Sequence, residues 1–263
     1  MAGRLPVAKT YKLFIDGAFP RSESGRTFPV HGPDGTLLAN AARASRKDLR
    51  DAVRTARAAQ EGWAARTAYN RGQVLYRVAE MLEGRRAELA TLLSDTGLGT
   101  EAAEEEVEAS IDRWVWYAGW SDKVHHVLGT VNPVAGPYFN FTVPEPTGVV
   151  GLVAPGRPAL LGLVSRLVPA IVGGNAVVVV TGGDASLVAV TLGEVLATSD
   201  VPAGVVNVLT GERAELLPWL ISHLDVNAVD LTGTADDLEA EVVAQAAANV
   251  KRGGFGDVEE ESP

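Results

Sequence analysis

The residues of this chain that could do chemistry sit in a few short turns. Thr232, Gly233 and Thr234, in the run "LTGT", put a glycine and hydroxyls where a helix is expected to begin. Free N–H groups and the helix dipole favour a phosphate at such a place. A plain threonine cap on a tight turn accounts for the same residues. Gly211, in "LTGE", carries the same ambiguity. Arg157 is the one charged side chain in "APGRPALLG". A guanidinium there either joins free N–H groups in holding an anion, or points to solvent or pairs with a carboxylate. The four histidines are His31, His125, His126 and His223. On a helix the adjacent pair would point about 100° apart and share a metal poorly. The 263 residues include no cysteine, which excludes disulfides, thiolate metal sites and a cysteine nucleophile from this stretch. G-x-S-x-G, H-E-x-x-H and Walker patterns are absent, and Gly156 and Gly162 are too sparse for G-x-G-x-x-G. Neither a metal centre nor a catalytic set is therefore expected.

The elements that must position these turns are legible as hydrophobic periodicity. "YKLFIDGAFPRSESGRTFPVHGPDG" reads as short strands with a hairpin at Asp16-Gly17. A helix is expected from Ser45, its cap, with Leu49, Val53, Ala56 and Trp63 inward. A second runs through "NRGQVLYRVAEMLEGRRAELATLLSDTG", stopped at Gly97, and a third spans Glu101 to Val127. Its glutamates at 101, 104, 105 and 106 suit a helix N-terminus and read as a solvated face. Trp114, Trp116 and Trp120 read as core or interface. Prolines then bracket the aromatic run Tyr138 to Val143, which confines it to an edge or a projecting ribbon.

From Thr147 onward strands and helices alternate. Strands are expected at 148–153, 176–180, 205–209 and 226–231, with helices at 158–172, 185–197, 214–223 and 235–248. Continuous β-branched strands separated by helices mean a parallel sheet buried on both faces. The fold class is therefore α/β: a Rossmann-like open parallel sheet with flanking helices, preceded by an N-terminal hairpin and helical segment. The divisions are 1–128 for the first strands and helices, 129–146 for the ribbon, 147–250 for the βα units and 251–263 for an acidic, disordered tail. Ligands of such sheets bind outside the carboxyl ends of the strands.

Composition limits the partners. A formal net charge of −10 disfavours nucleic acid and anionic membrane surfaces. "MAGRLPVAKTYKLFIDG" lacks the apolar core of a signal peptide, and Gly, Pro and Arg interrupt the apolar runs. A soluble, cytoplasmic protein is the expectation.

The order of motifs resembles the aldehyde dehydrogenase superfamily, over the first half of that family's fold. "KLFIDGAF" looks like its N-terminal strand signature, and "PTGVVGLVAPGRPALLGLVSRLVPAIVGGNAVVVV" is similar to its P-x-G-V segment running into the G-N-x-V-V-x-K-P strand. "VPAGVVNVLTG" resembles G-x-P-x-G-V-x-N-x-x-x-G, "VDLTGT" resembles F-T-G-S, and "ANVKRGGFGDV" resembles a decayed approach to E-L-G-G-K. The resemblance implies an NAD(P)-dependent aldehyde oxidoreductase fold. It also places substitutions at the working positions. Arg157 stands at the oxyanion asparagine, Gly156 at the preceding tryptophan, Val180 at the ribose-binding lysine, Thr181 at the following proline and Gly183 at a nearby acidic residue. Gly151, Gly174, Asn175 and Gly211 keep the scaffold, and Gly211, Thr232, Gly233 and Thr234 are the cofactor-binding candidates. The resemblance thus implies a catalytically inactive partner subunit. It would form a homo-oligomer, or a hetero-oligomer with a full-length relative, through the Tyr138–Val143 ribbon. The alternatives are a subunit active only in complex, or a residual nucleotide-binding module.

Overall fold

The computed structural model describes residues 8–234, 244–247 and 251–254. At the amino end, β1 (Thr10–Tyr11), β2 (Thr27–His31) and β3 (Leu37–Ala42) form a small sheet in the order β1-β3-β2. Asp16 and Gly17 have φ of 56° and 69°, and Ile15 and Ala18 exchange two hydrogen bonds of 3.0 Å around them. Two positive φ angles in a two-residue loop make the expected tight hairpin turn. Helix α1 (Arg46–Ala64) starts at the expected cap. Ser45 accepts from the backbone of Lys47 and Asp48, and the buried Asp48 carboxylate accepts in return from Ser45 N at 2.8 Å.

The second expected helix is two, α2 (Ala68–Glu83) and α3 (Arg86–Asp95). The break falls at Gly84-Arg85, and it lets α3 bury Leu89 and Leu93 while α2 buries Val74, Leu75, Val78 and Leu82. The third also divides, into α4 (Thr100–Trp120) and the short α5 (Val124–Leu128). Ser121 Oγ donates to Ala118 O at 2.9 Å there, a side-chain bond that competes with continued helix. Strands β4 (Thr130–Val131) and β5 (Phe141–Thr142) then pair antiparallel as an exposed ribbon.

The main sheet is built from β6 (Val149–Val153), β7 (Ala176–Thr181), β8 (Val206–Thr210), β9 (Ala228–Asp230) and β10 (Arg252–Gly254). Its order is β10-β9-β6-β7-β8, parallel throughout. Helices α6 (Ala159–Val172), α7 (Ala185–Ala197) and α8 (Arg213–Ser222) connect the strands. Side chains alternate between two cores, as strand geometry demands. Val177 and Val179 of β7 join α2, α4, α6 and α7 on one face. Val178 and Val180 join α1 and α8 on the other. The free edge of β8 is covered by Phe14, which exchanges backbone bonds of 3.0 and 2.7 Å with Val208.

The carboxyl-terminal region departs from expectation. Arg252–Gly254 form the edge strand β10, where the composition predicts a disordered tail from residue 251. Lys251 reinforces the strand's start, its Nζ donating to the carbonyls of His223 (2.6 Å) and Val226. Residues 255–263 lie outside the described residues, as does the helix expected at 235–248 except for 244–247, which are helical. No described helix is long and apolar enough to cross a membrane.

Candidate functional site at the carboxyl edge of the sheet

The strand order reverses at β6, with β7 on one side and β9 on the other, so the switch point of the sheet lies at the β6 and β9 carboxyl ends. The turn after β6 contains Arg157. Its Nη2 donates to Asp184 Oδ2 at 2.7 Å and to the carbonyl of Thr96. Of the two readings of Arg157, the carboxylate pair is the one the structure adopts. Asp184 serves twice, since its Oδ1 also accepts from Ala185 N at 2.9 Å and caps α7, as expected.

The positive end of α6 is occupied from within the chain. Pro158 supplies no side-chain cap. Glu106 of α4 does so instead, its carboxylate accepting from Leu160 N at 2.6 Å and Leu161 N at 3.2 Å. Glu106 is 8% exposed, so it leaves the solvated face expected of the glutamate run, while Glu101, Glu104 and Glu105 stay on it. The periodicity holds the signal: Glu106 lies three residues after Ala103 and four before Ser110, both buried.

The other turns are also tied inward. Val180 and Thr181 are fully buried in the sheet, so neither presents a side chain at a surface. Thr181 Oγ1 and Ser186 Oγ have no hydrogen-bond partner. Gly211 has φ of 151° and donates to Thr181 O at 3.0 Å, and a Cβ on it would stand 3.3 Å from Ala44 N. Its glycine is required by backbone conformation and by the close approach of the β3–α1 junction.

Arg213, which the sequence reading passed over, opens α8. A cation at a helix start opposes the dipole, and that was the available signal. Its Nη2 reaches over β7 to the carbonyl of Ala154, just past β6, at 2.7 Å. Its Cγ lies 3.8 Å from where a Cβ on Gly182 would stand. Burial pulls the Arg213 guanidinium below its ordinary pKa, and Asp184 acts in the opposite direction. Its Nε is buried without a partner.

Thr232, Gly233 and Thr234 follow β9. Thr232 gives both its N–H and its Oγ1 to Asp230 Oδ1, at 3.0 and 2.6 Å. Gly233 N donates to Val153 O at 3.0 Å, and Thr234 N to Leu231 O at 2.8 Å. A side chain on Gly233 would run into the Ala154 carbonyl. Thr234 Oγ1 is buried and unpartnered. These residues therefore stay together at the switch point, with their N–H groups committed. Gly211 is three strands away at the end of β8, about 14 Å at ordinary strand spacing. Among the described residues no group of three or more His, Cys, Asp or Glu could hold a metal ion.

A second feature stands apart from the sheet. On the ribbon Tyr138, Phe139 and Phe141 are 77%, 78% and 56% exposed. Val127, Leu128, Val131, Val134 and Val143 are exposed beside them in the chain. The rings of Trp116 and Trp120 of α4 lie 6.0 Å apart, tilted by 52°, with Trp116 exposed and Trp114 fully buried.

Comparison with known proteins gives a consistent result. Residues 19–254 match the aldehyde dehydrogenase family. Human retinal dehydrogenase 2 is 33% identical over 250 residues, which are 93% of this chain and 48% of that protein. The mitochondrial aldehyde dehydrogenase family 2 member B4 of Arabidopsis thaliana is 35% identical over 232 residues, covering 86% of this chain and 42% of its own length. Among solved structures, HpcC from Thermus thermophilus superposes with a TM-score of 0.90 at 29% identity, over 95% of this chain and 48% of that one. An NAD+ complex of an aldehyde dehydrogenase from Bacillus cereus gives 0.87 at 27% identity, over 94% and 50%. The chain thus spans about half the length of the curated relatives it matches.

Proposed function

The chain belongs to the aldehyde dehydrogenase family, and from that premise we propose that it acts as a non-catalytic, oligomer-forming subunit. Its partner is a second copy or a full-length relative, joined through the Tyr138–Val143 ribbon. The observation that carries this reading is the exposure of three aromatic rings on the hairpin of β4 and β5, which pairs with no third strand among the described residues. An unpaired, aromatic edge is an association surface unless something covers it. A further observation supports the non-catalytic part. Arg157, at the position resembling the oxyanion asparagine, is locked to Asp184 and Thr96 rather than aimed at a reacting carbonyl. Losing one oxyanion donor costs about a hundred- to thousandfold in rate.

Light scattering at micromolar concentration, on wild type and on Phe139→Glu/Phe141→Glu, tests the reading. The wild type should run as a multiple of the chain mass and the double variant as a monomer with unchanged far-UV circular dichroism. A monomeric wild type that also fails to join an added full-length relative would contradict it.

A further inference from the structure

Family membership implies NAD(P) at the carboxyl edge of this sheet, and the residues present there do not fit it. We infer that Arg213 closes the crevice to a dinucleotide, its guanidinium lying where the ligand of an open parallel sheet would lie. Three observations converge on this. Arg213 Nη2 bonds the Ala154 carbonyl at 2.7 Å, so the side chain spans the edge from the start of α8 to the end of β6. Gly233 packs on the same carbonyl from the β9 side and leaves no room for a side chain. At the first turn the helix end that attracts phosphate already holds the buried Glu106 carboxylate, which would repel a second anion.

These three elements differ in how tightly the fold depends on them. Glu106 caps a core helix, and Gly233 N donates to Val153 O at 3.0 Å, so both belong to the packing. Arg213 bonds the Ala154 carbonyl, leaves Nε buried and unpartnered, and has its pKa pulled below the ordinary value by burial. Such a group is costly to keep in place. It is the one plug that can be removed without dismantling the sheet. Its removal therefore relieves the direct obstruction of the crevice, while the strand order, the switch point, the glycine turns and the Glu106 cap persist.

Titration calorimetry with NAD and with AMP, on wild type, Arg213→Gly and Arg213→Ala, tests the inference. Wild type should give no binding heat at about 1 mM ligand. Each variant should bind at least about tenfold more tightly, in the millimolar range or better. Thermal melts within a few degrees of wild type certify the variants as folded. Sub-millimolar binding by wild type overturns the inference whatever the variants do. A folded variant that gains nothing overturns the role of Arg213. Either failure leaves the oligomer reading standing, because the ribbon takes no part in this site.

Discussion

Replacing Glu106 probes the link between the helical segment and the sheet. Its carboxylate makes two bonds to the first turn of α6, at 2.6 and 3.2 Å, and is almost fully buried. A charge-assisted bond to a backbone N–H contributes about 1.5–3 kcal/mol. The helix dipole adds up to about 2 kcal/mol in a partly buried geometry. The terms overlap, and the orphaned N–H groups recover some solvation, so Glu106→Ala should destabilise by about 3–4 kcal/mol. Glu106→Gln keeps an acceptor and loses the charge, and should cost about half as much. For a protein of this size 1 kcal/mol moves Tm by about 2–4 °C, so the alanine variant should melt about 6–16 °C lower. Glu105→Ala is the control: Glu105 is exposed, and surface changes stay within about 0.5 kcal/mol. Urea unfolding of the three variants reads the differences. If Glu106→Ala and Glu105→Ala unfold together, the carboxylate is not holding α6.

Arg71 is 7% exposed and donates to three carbonyls, Val172 O at 3.0 Å, Arg66 O at 2.6 Å and Ala64 O at 3.3 Å, so one cation serves the ends of both α1 and α6. Arg71→Met should cost about 3 kcal/mol by stranding those acceptors, and a denaturation midpoint equal to wild type would refute that. Burial pulls the His223 imidazole below its ordinary value, Lys251 adds to the shift and Asp225 opposes it, and His223 Nδ1 accepts from Asp225 N at 3.2 Å. The unfolded chain therefore binds the proton more readily, and this share of stability is fully present above the unfolded pKa of about 6.5 and lost as pH falls from there through the lower folded-state pKa. An NMR titration placing His223 at or above the ordinary imidazole range would contradict the assignment.

Periodicity exposed most of the scaffold because its causes are local. Asp184 begins α7 and Ser45 begins α1 through side-chain caps that the sequence displays. The buried valines of β7 announce a strand covered on both faces. What escaped is contact between distant segments. Glu106 reads locally as one more acid in a solvated run, and only the packing of α4 against α6 shows its purpose. Arg213 sits 59 residues from the carbonyl it bonds, and no local pattern records that reach. Arg252–Gly254 became a strand because β9 offers an open edge and Lys251 anchors the approach, although "KRGG" has little strand propensity of its own. The cofactor candidates were legible as glycines and hydroxyls, but whether their N–H groups remained free depended on Asp230 and Val153, the latter distant in sequence.

Native mass spectrometry of the intact complex purified from the source cells addresses the central claim most directly. The account predicts either several copies of this chain or this chain bound to a full-length aldehyde dehydrogenase relative, with the assembly dissociating when Phe139 and Phe141 are both replaced by glutamate. A single unassociated chain at physiological concentration would contradict it.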